Sequence, residues 1–441
     1  MSPQFAGFRI LGPWRGLLGR RFHPPGTAAH FMQQQSGSFV EGAEPVKLLL
    51  VRLSAHGDVI HTLPVLDRLK RQWPTLQVGW LVEADAAPLL ANHPLIDRLH
   101  VCPRKAWLKR LRSPGQWGKL LQEISDFVAQ LKAERYQISL DVQGLLKSAL
   151  WPVWACVPHR LGFHRTREWA DCCYTEVVPP MDFHNDHSPA VHQFLRLAQA
   201  LAPNPTELEP VRFPLAPVPA AVSHQMAQRL QVLPPNQPIV ALALGTKWLS
   251  KQWPAHHWRS LLHQLAALPV SVLLLGSQQD QPLASELMDS LQSQGLQTPW
   301  QTEPPAPGQP TATILNWCGQ THFQELPALL ARLTLLVGAD SLLLHWADAV
   351  YGQTATGPSM GATPRVVGLY GPTSPGRTGP YHQPENALNA ALPCQPCHQR
   401  RCPLVSFQRG GEVAPCMEAL EPGLVLANIK QQLNQNTTER Y

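Results

Sequence analysis

The feature that most constrains this chain is a pattern that runs twice. Val46–Leu53 (VKLLLVRL) is a short apolar run of the kind that fills a parallel sheet buried on both faces, and Ile239–Leu244 (IVALAL) is another. After each, a loop with glycine or lysine leads towards a helical stretch, and the alternation continues. In the first series the reading gives helix Val59–Gln72, strand Gln77–Val82, helix Ala86–Ala91, strand Arg98–Val101, helix Gln116–Glu134 and strand Gln137–Leu140. In the second it gives helix Ala255–Ala267 and strands Val270–Leu275, Leu333–Val337 and Arg365–Tyr370. Strands alternating with helices at this spacing predict a doubly wound α/β chain.

Between the two series the prolines crowd, above all at Pro203–Pro219, which reads as a change of domain. The expectation is an extension over 1–45, a Rossmann-like domain over 46–220, a second over 221–420, and a C-terminal helix and tail over 421–441. Two such halves facing across a cleft are the simplest arrangement. Ligands bind beyond the carboxyl ends of parallel strands, so loops 54–58, 141–147, 245–251, 276–280 and 338–345 should line that cleft.

A length of 441 residues suits two domains, and 44% hydrophobic with only 15% charged residues excludes a disordered chain. The net charge of +6 fits a phosphorylated substrate or an anionic membrane surface. No Lys/Arg run interleaved with aromatics points to nucleic acid. Residues 1–31 mix Phe5, Phe8, Trp14 and Leu17 with Arg9, Arg15, Arg20 and Arg21, too broken to span a bilayer. That segment is either disordered or lies on a membrane face.

Four places hold residues with chemical potential. Asp58 follows a glycine near a helix start, where it is either a base for a hydroxyl proton or a carboxylate favoured by the helix dipole. In Thr246–Pro254, Lys251 and Lys247 are either cations for a leaving diphosphate or solvated loop lysines. In Gly338–His345, Asp340, Ser341 and His345 follow a strand and open a helix, which is either a sugar and phosphate site or an ordinary helix start. Cys394, Cys397, Cys402 and Cys416, outside the expected cleft loops, are either ligands of a structural metal, a disulfide source or packed free thiols.

Together and in order, these motifs resemble the lipopolysaccharide heptosyltransferases, inverting GT-B enzymes that need no metal. The resemblance covers roughly Val46 to His382. It rests on Ser54–Pro64 (SAHGDVIHTLP), a segment like the family's basic acceptor loop at Pro103–Trp107 (PRKAW), Asp141–Ser148 (DVQGLLKS), Gly162–Glu168 (GFHRTRE), the His187–Val191 region, Trp248–Pro254, Asp340–His345 and Tyr370–Pro380 (YGPTSPGRTGP). Within the family the subgroup adding the first heptose is the nearest. The resemblance implies Asp58 as base and Lys251 as the cation for departing ADP, helped by Thr246 and Lys247. Asp280 would contact the adenosine ribose, Asp340 the donor sugar, and Ser341 and His345 the diphosphate. Ser54, Arg104, Lys105, Gln143, Lys147, His164 and Arg167 would meet the acidic acceptor, a Kdo sugar on lipid A. The implied reaction moves heptose from ADP-heptose to Kdo of the lipopolysaccharide inner core, with no cofactor required. The implied place is the cytoplasmic face of the inner membrane, held peripherally by basic loops and the N-terminal segment.

Three departures stand out. Leu342 replaces a glycine beside the donor phosphates, Tyr351–Met360 reads as an insertion, and His164–Glu168 copies its motif only in part. The rivals are a family member using another nucleotide sugar or acceptor, such as the enzyme adding the second heptose, and a lipopolysaccharide-binding relative without catalysis. Asp58 and Lys251 speak against the latter.

Overall fold

The computed structural model describes residues 27–37, 44–181, 187–202, 210–292, 312–355, 364–405 and 413–438. They form two compact units. The first holds the described residues from Thr27 to Val211 apart from 187–190, which cluster with the second from Arg212 onward. Positions 1–26 of the expected extension, 203–209 of the proline segment and 356–360 of the expected insertion lie outside the described residues.

In the first unit the strands are β1 (Lys47–Val51), β2 (Gln77–Glu83), β3 (Arg98–Cys102), β4 (Ile138–Asp141), β5 (His159–Phe163) and β6 (Glu176–Val178). All pair in parallel, in the order β3-β2-β1-β4-β5-β6. Leu48, Leu49, Leu50 and Val51 are fully buried, which is why this strand shows no polar alternation. Helix Trp117–Ala133 turns Leu120, Phe127 and Leu131 inward along one stripe. Each such side chain contributes about 1.5–3 kcal/mol by leaving water.

The second unit has β7 (Ile239–Ala243), β8 (Ser271–Leu275), β9 (Thr313–Asn316), β10 (Leu335–Ala339), β11 (Arg365–Tyr370) and β12 (Ala387–Asn389). Its order is β12-β11-β10-β7-β8-β9, again all parallel. Read from the other edge, it is the first sheet's order with six added to each number. The duplication seen in the sequence is therefore a duplication of winding.

The structure corrects several expectations. Ala86–Ala91 is only a short 3₁₀ turn at Ala87–Leu89. The basic segment Pro103–Trp107 is not a loop but opens helix Arg104–Arg110. The strand placed at Leu333–Val337 runs from Leu335 to Ala339. Residues 351–355, read as the start of an insertion, are the last turns of helix Leu342–Ala355. Part of the N-terminal extension is a helix, Thr27–Gly37. It docks on the last two strands of the first sheet, where the Ala28 N–H donates to Glu176 of β6 at 2.8 Å and the Phe31 ring lies 5.2 Å from His159 of β5.

Candidate active site

In each sheet the chain winds outward from one central strand, then returns to wind the other way from its neighbour. The loops leaving those two strands diverge and open a crevice at the switch point. In the first unit these strands are β1 and β4, in the second β7 and β10.

Beyond β1, Arg52 is buried, and its Nη1 donates to the Val142 carbonyl beyond β4 at 2.9 Å. Its Nη2 lies 2.5 Å from Asp58 Oδ2, and its guanidinium stands 4.9 Å from the Phe194 ring centre. Asp58 occupies the third position of helix His56–Gln72 and also accepts from the Ala55 N–H at 3.3 Å. It therefore does cap its helix, while an arginine holds it at the switch point. Burial pushes the Asp58 carboxyl up, but Arg52, His61 and the Ala55 amide pull harder the other way, so it lies below its ordinary value. The group is a carboxylate at neutral pH, and its basicity is reduced by its partner.

A second anion organises the remaining cations. Glu83, buried at the end of β2, meets Arg104 Nη1 at 3.0 Å and Lys147 Nζ at 3.7 Å. Lys147 also donates to Ser54 Oγ at 3.0 Å. Burial lowers the Lys147 ammonium, Glu83 opposes that, and Arg104 and Arg52 lower it further. Lys105 pairs with Asp85, whose carbonyl lies 3.1 Å from His56 Nε2. Ser54, Asp58, Arg104, Lys105 and Lys147 thus gather around one switch point.

Asp141 explains why its motif has the form it has. Its Oδ1 accepts the Gln143 and Gly144 N–H groups at 2.9 and 3.1 Å, and its Oδ2 accepts Ser148 and Tyr174 hydroxyls, both at 2.8 Å. Gly144 takes φ +66°, a conformation that favours glycine. The tight turn sets Lys147 on the following helix, Leu146–Trp154. Burial pushes the Asp141 carboxyl above its ordinary value despite these donors. Gln143 faces inward, its Oε1 accepting the Leu53 N–H at 2.9 Å. His164, 3.2 Å from Asp171, and the exposed Arg167 stand on the loop beyond β5, one strand further out.

In the second unit, Asp340 follows β10 and is 7% exposed. Lys251, ending the short 3₁₀ turn Leu249–Lys251 after β7, donates to Asp340 Oδ2 at 2.6 Å and to its carbonyl at 3.2 Å. His345 Nε2 lies 2.8 Å from Oδ1, and Thr378 Oγ1 donates to Oδ2 at 3.2 Å. Burial raises the Asp340 carboxyl, but Lys251 and His345 outweigh it and hold it well below the carboxylate range. Thr246 and Lys247 lie just upstream on the same loop, half-buried and exposed respectively. Asp280 bonds the Ser277 N–H and hydroxyl, both at 2.7 Å. A Cβ at Gly245 would run into the Asp280 carboxylate, so glycine brings this acid against the end of β7. Ser341 and Leu342 are half-buried where helix Leu342–Ala355 begins.

The pattern of two parallel sheets with charged residues at both switch points fits comparison with known proteins. The model of glycosyltransferase family 9 (heptosyltransferase) matches residues 124–407. The chain belongs to glycosyltransferase family 9. Lipopolysaccharide heptosyltransferase 1 of Pseudomonas aeruginosa is 29% identical over 368 residues, covering 81% of this chain and 87% of that protein. Lipooligosaccharide heptosyltransferase 2 of Haemophilus ducreyi is 25% identical over 342 residues, covering 76% and 86%. Among solved structures, Escherichia coli ADP-heptose lps heptosyltransferase II matches with a TM-score of 0.61 at 20% identity, over 89% of this chain and 100% of that one. Escherichia coli heptosyltransferase WaaC with ADP matches with a TM-score of 0.61 at 21% identity, over 88% and 100%. The fold is GT-B, and the family-9 chain is a glycosyltransferase.

The cysteine segment of this family-9 enzyme lies against the loops that hold Lys251 and Gly371, which corrects the expectation that it stands outside the cleft loops. The His398 N–H donates to the Pro372 carbonyl and Gln395 Nε2 to the Gly371 carbonyl, both at 2.7 Å. Ser250, next to Lys251, donates its hydroxyl to the Gln399 carbonyl at 2.6 Å. Lys251 Nζ and Arg400 Cζ stand 4.5 and 5.8 Å from the centre of the same Trp248 ring. All four thiols are free, and burial, reinforced by the other three, pushes Cys416 up to about 11. Among the described residues, the metal-ligating atoms that lie within 4.8 Å of one another are those of His256, His257 and Glu418, not the four sulfurs.

Sequence reading missed Arg52, Glu83, Asp85, Asp348, Thr378 and Arg400. Arg52 and Glu83 carried a usable signal, since each is a lone charge at the carboxyl end of an apolar run. Asp348 did not look special, yet it is 2% exposed and accepts the Tyr381 and His382 N–H groups at 2.7 and 3.1 Å. It pins the end of the Arg377–Pro380 turn whose Thr378 reaches Asp340.

Proposed function

We propose that this enzyme transfers heptose from ADP-heptose to a Kdo residue of the lipopolysaccharide inner core, with inversion and without a metal in the chemical step. The observation that carries this reading is the charge layout at the two switch points: a cation-rich one in the first unit and a Lys251–Asp340–His345 cluster in the second. Asp58 takes the proton of the acceptor hydroxyl as its oxygen attacks the anomeric carbon, and the bond to the ADP oxygen breaks. Lys251, with Arg400 beside the same indole, takes up the charge that develops on the diphosphate. Thr246, Lys247, Asp280, Ser341 and His345 complete the donor side, while Ser54, Arg104, Lys105, Lys147, His164 and Arg167 receive the acceptor. Arg52 is a positioning residue. An acceptor carboxylate that draws on Arg52 frees Asp58 to act as a stronger base, because losing its cationic partner raises its pKa.

The names of the relatives support the donor and acceptor classes. The matches to heptosyltransferase 2 proteins favour one second reading, in which the acceptor is a heptose already on the core. The acceptor is membrane-borne in both readings. Among the described residues no helix is long and apolar enough to cross a membrane, so the enzyme would meet that acceptor peripherally.

The test is ADP release from ADP-heptose with Kdo-lipid A, or with the heptosylated core, comparing wild type with Asp58→Ala. Transfer to Kdo by the wild type and a loss of about 10²-fold in the variant are expected. No ADP release with either acceptor sinks the donor assignment, transfer only to the heptosylated core selects the second reading, and an equally active variant removes Asp58 as base.

A further inference from the structure

We propose that the connection between helices Arg104–Arg110 and Trp117–Ala133 is the surface by which this enzyme docks on an anionic lipid bilayer. The inference deepens the proposed function, since it rests on a membrane-borne acceptor.

The charge distribution points there first, and it corrects the expectation that no Lys/Arg run is interleaved with aromatics. Residues 104–121 (RKAWLKRLRSPGQWGKLL) contain six cations, Arg104, Lys105, Lys109, Arg110, Arg112 and Lys119, and no acid. The formal charge of the whole chain is +6, so the rest of it is balanced. Arg104, Lys105 and Arg110 have partners in Glu83, Asp85 and Glu123. Among the described residues, Lys109 and Arg112 form no ion pair, Lys119 lies near enough to help Arg110 lower the Glu123 carboxyl without a close contact, and all three are exposed.

The apolar side chains interleaved with them are turned outward. Leu108, Leu111, Trp117 and Leu121 are 46%, 51%, 50% and 66% exposed, within one short stretch. Every residue from Leu111 to Lys119 is exposed. Trp117 is held beside Leu111 by a bond from its Nε1 to the Leu111 carbonyl at 3.0 Å. An indole tied down at the surface among leucines and exposed cations suits the headgroup boundary, where the ring buries its carbon face and lysines reach phosphates.

The platform beneath is fixed. Trp107 is buried, lies 5.7 Å from Phe127 and 6.0 Å from Trp151, and bonds Glu123 at 3.0 Å. The same short helix begins with Arg104 and Lys105, which belong to the first switch point. A bilayer touching Leu108 and Leu111 therefore lies one helix length from the residues that receive the lipid-borne sugar. Charge complementarity selects anionic lipid over a neutral surface.

The experiment uses the full chain and two vesicle types, phosphatidylcholine alone and phosphatidylcholine with phosphatidylglycerol, in co-sedimentation at low and physiological salt. Wild type should bind the anionic vesicles, and weaken with salt. The variant Lys109→Gln/Arg112→Gln/Lys119→Gln should bind about a hundredfold more weakly, near fivefold for each cation removed. Leu111→Asp/Trp117→Ala should lose binding without loss of melting temperature. Both variants should keep wild-type turnover on a water-soluble Kdo acceptor and lose it on Kdo-lipid A held in vesicles. Equal binding of wild type to neutral vesicles, wild-type binding by either variant, or equal losses on soluble and vesicle-held acceptors would each overturn the docking surface. Vesicle binding that follows these variants while no acceptor is glycosylated leaves the surface in place and refutes the heptosyl transfer instead.

Discussion

At the switch point of the first sheet, Arg52, Arg104, Lys105 and Lys147 meet Asp58, Glu83 and Asp85, a partly open network with one positive charge to spare. At the corresponding point of the second sheet, Lys251 and Asp340 are 12% and 6% exposed in their side chains and cancel one another. The winding is the same, so the difference comes from side chains alone. An open, cation-rich crevice suits an acceptor whose carboxylate and phosphates compete for exchangeable partners. A closed ion pair is a preformed dipole. It holds Lys251 at one place, but it leaves little net charge for a diphosphate, which gives Arg400 on the cysteine segment a reason to be there.

The largest effect should come from breaking the closed pair. Lys251→Ala removes the cation proposed to face the leaving group and leaves Asp340 buried without its main partner. A fall of about 10²–10³-fold in kcat is expected, together with about 3–5 kcal/mol of stability in the second unit. Steady-state rates and urea unfolding check both. A rate loss with unchanged stability would mean that the pair is not closed in solution.

The open network should answer through pH. Removing Arg52 (Arg52→Met) takes away the charge that holds Asp58 low, so the acid limb of the kcat/KM profile should move to higher pH while the basic limb stays. An unmoved acid limb would separate Asp58 from the ionisation that limits the rate.

Acid should distinguish the units as well. The folded Asp340 carboxyl lies below its unfolded value of 3.8, so the stability it contributes is present above that pH and is lost as pH falls through the folded value. Asp141 is raised, so its ionised form costs the first unit stability above that range, and protonation on acidification relieves the cost. Asp58, 39% exposed, adds little to this balance. Hydrogen exchange at falling pH should therefore show β10 losing protection before β4. The smallest effect is expected at Arg400. Arg400→Ala should weaken ADP about tenfold in calorimetric titration and leave adenosine unchanged.

Much of this architecture was legible because it is written in local chemistry. Val46–Leu53 and Ile239–Leu244 announce buried parallel strands, and the glycine, acid and lysine just after them mark the carboxyl ends where ligands bind. Asp58, Lys251 and Asp340 could be picked out for that reason. Pro103–Trp107 was misjudged as a loop because its helix is stabilised by Trp107 packing on Phe127 and Trp151, which are distant in sequence. The cysteine segment was misplaced for the same reason, since only folding brings Gln399 to Ser250.

The sequence alone thus determined two parallel α/β units and where several of their strands end, because periodicity and strand ends are properties of neighbouring residues. Tertiary structure alone decided which charges are partnered. Arg52 holds Asp58, Glu83 gathers Arg104 and Lys147, Lys251 is neutralised by Asp340, and among the described residues Lys109 and Arg112 are left without an ion pair. A charge's behaviour depends on what lies within a few ångströms of it, and those neighbours come from strands and loops far apart along the chain.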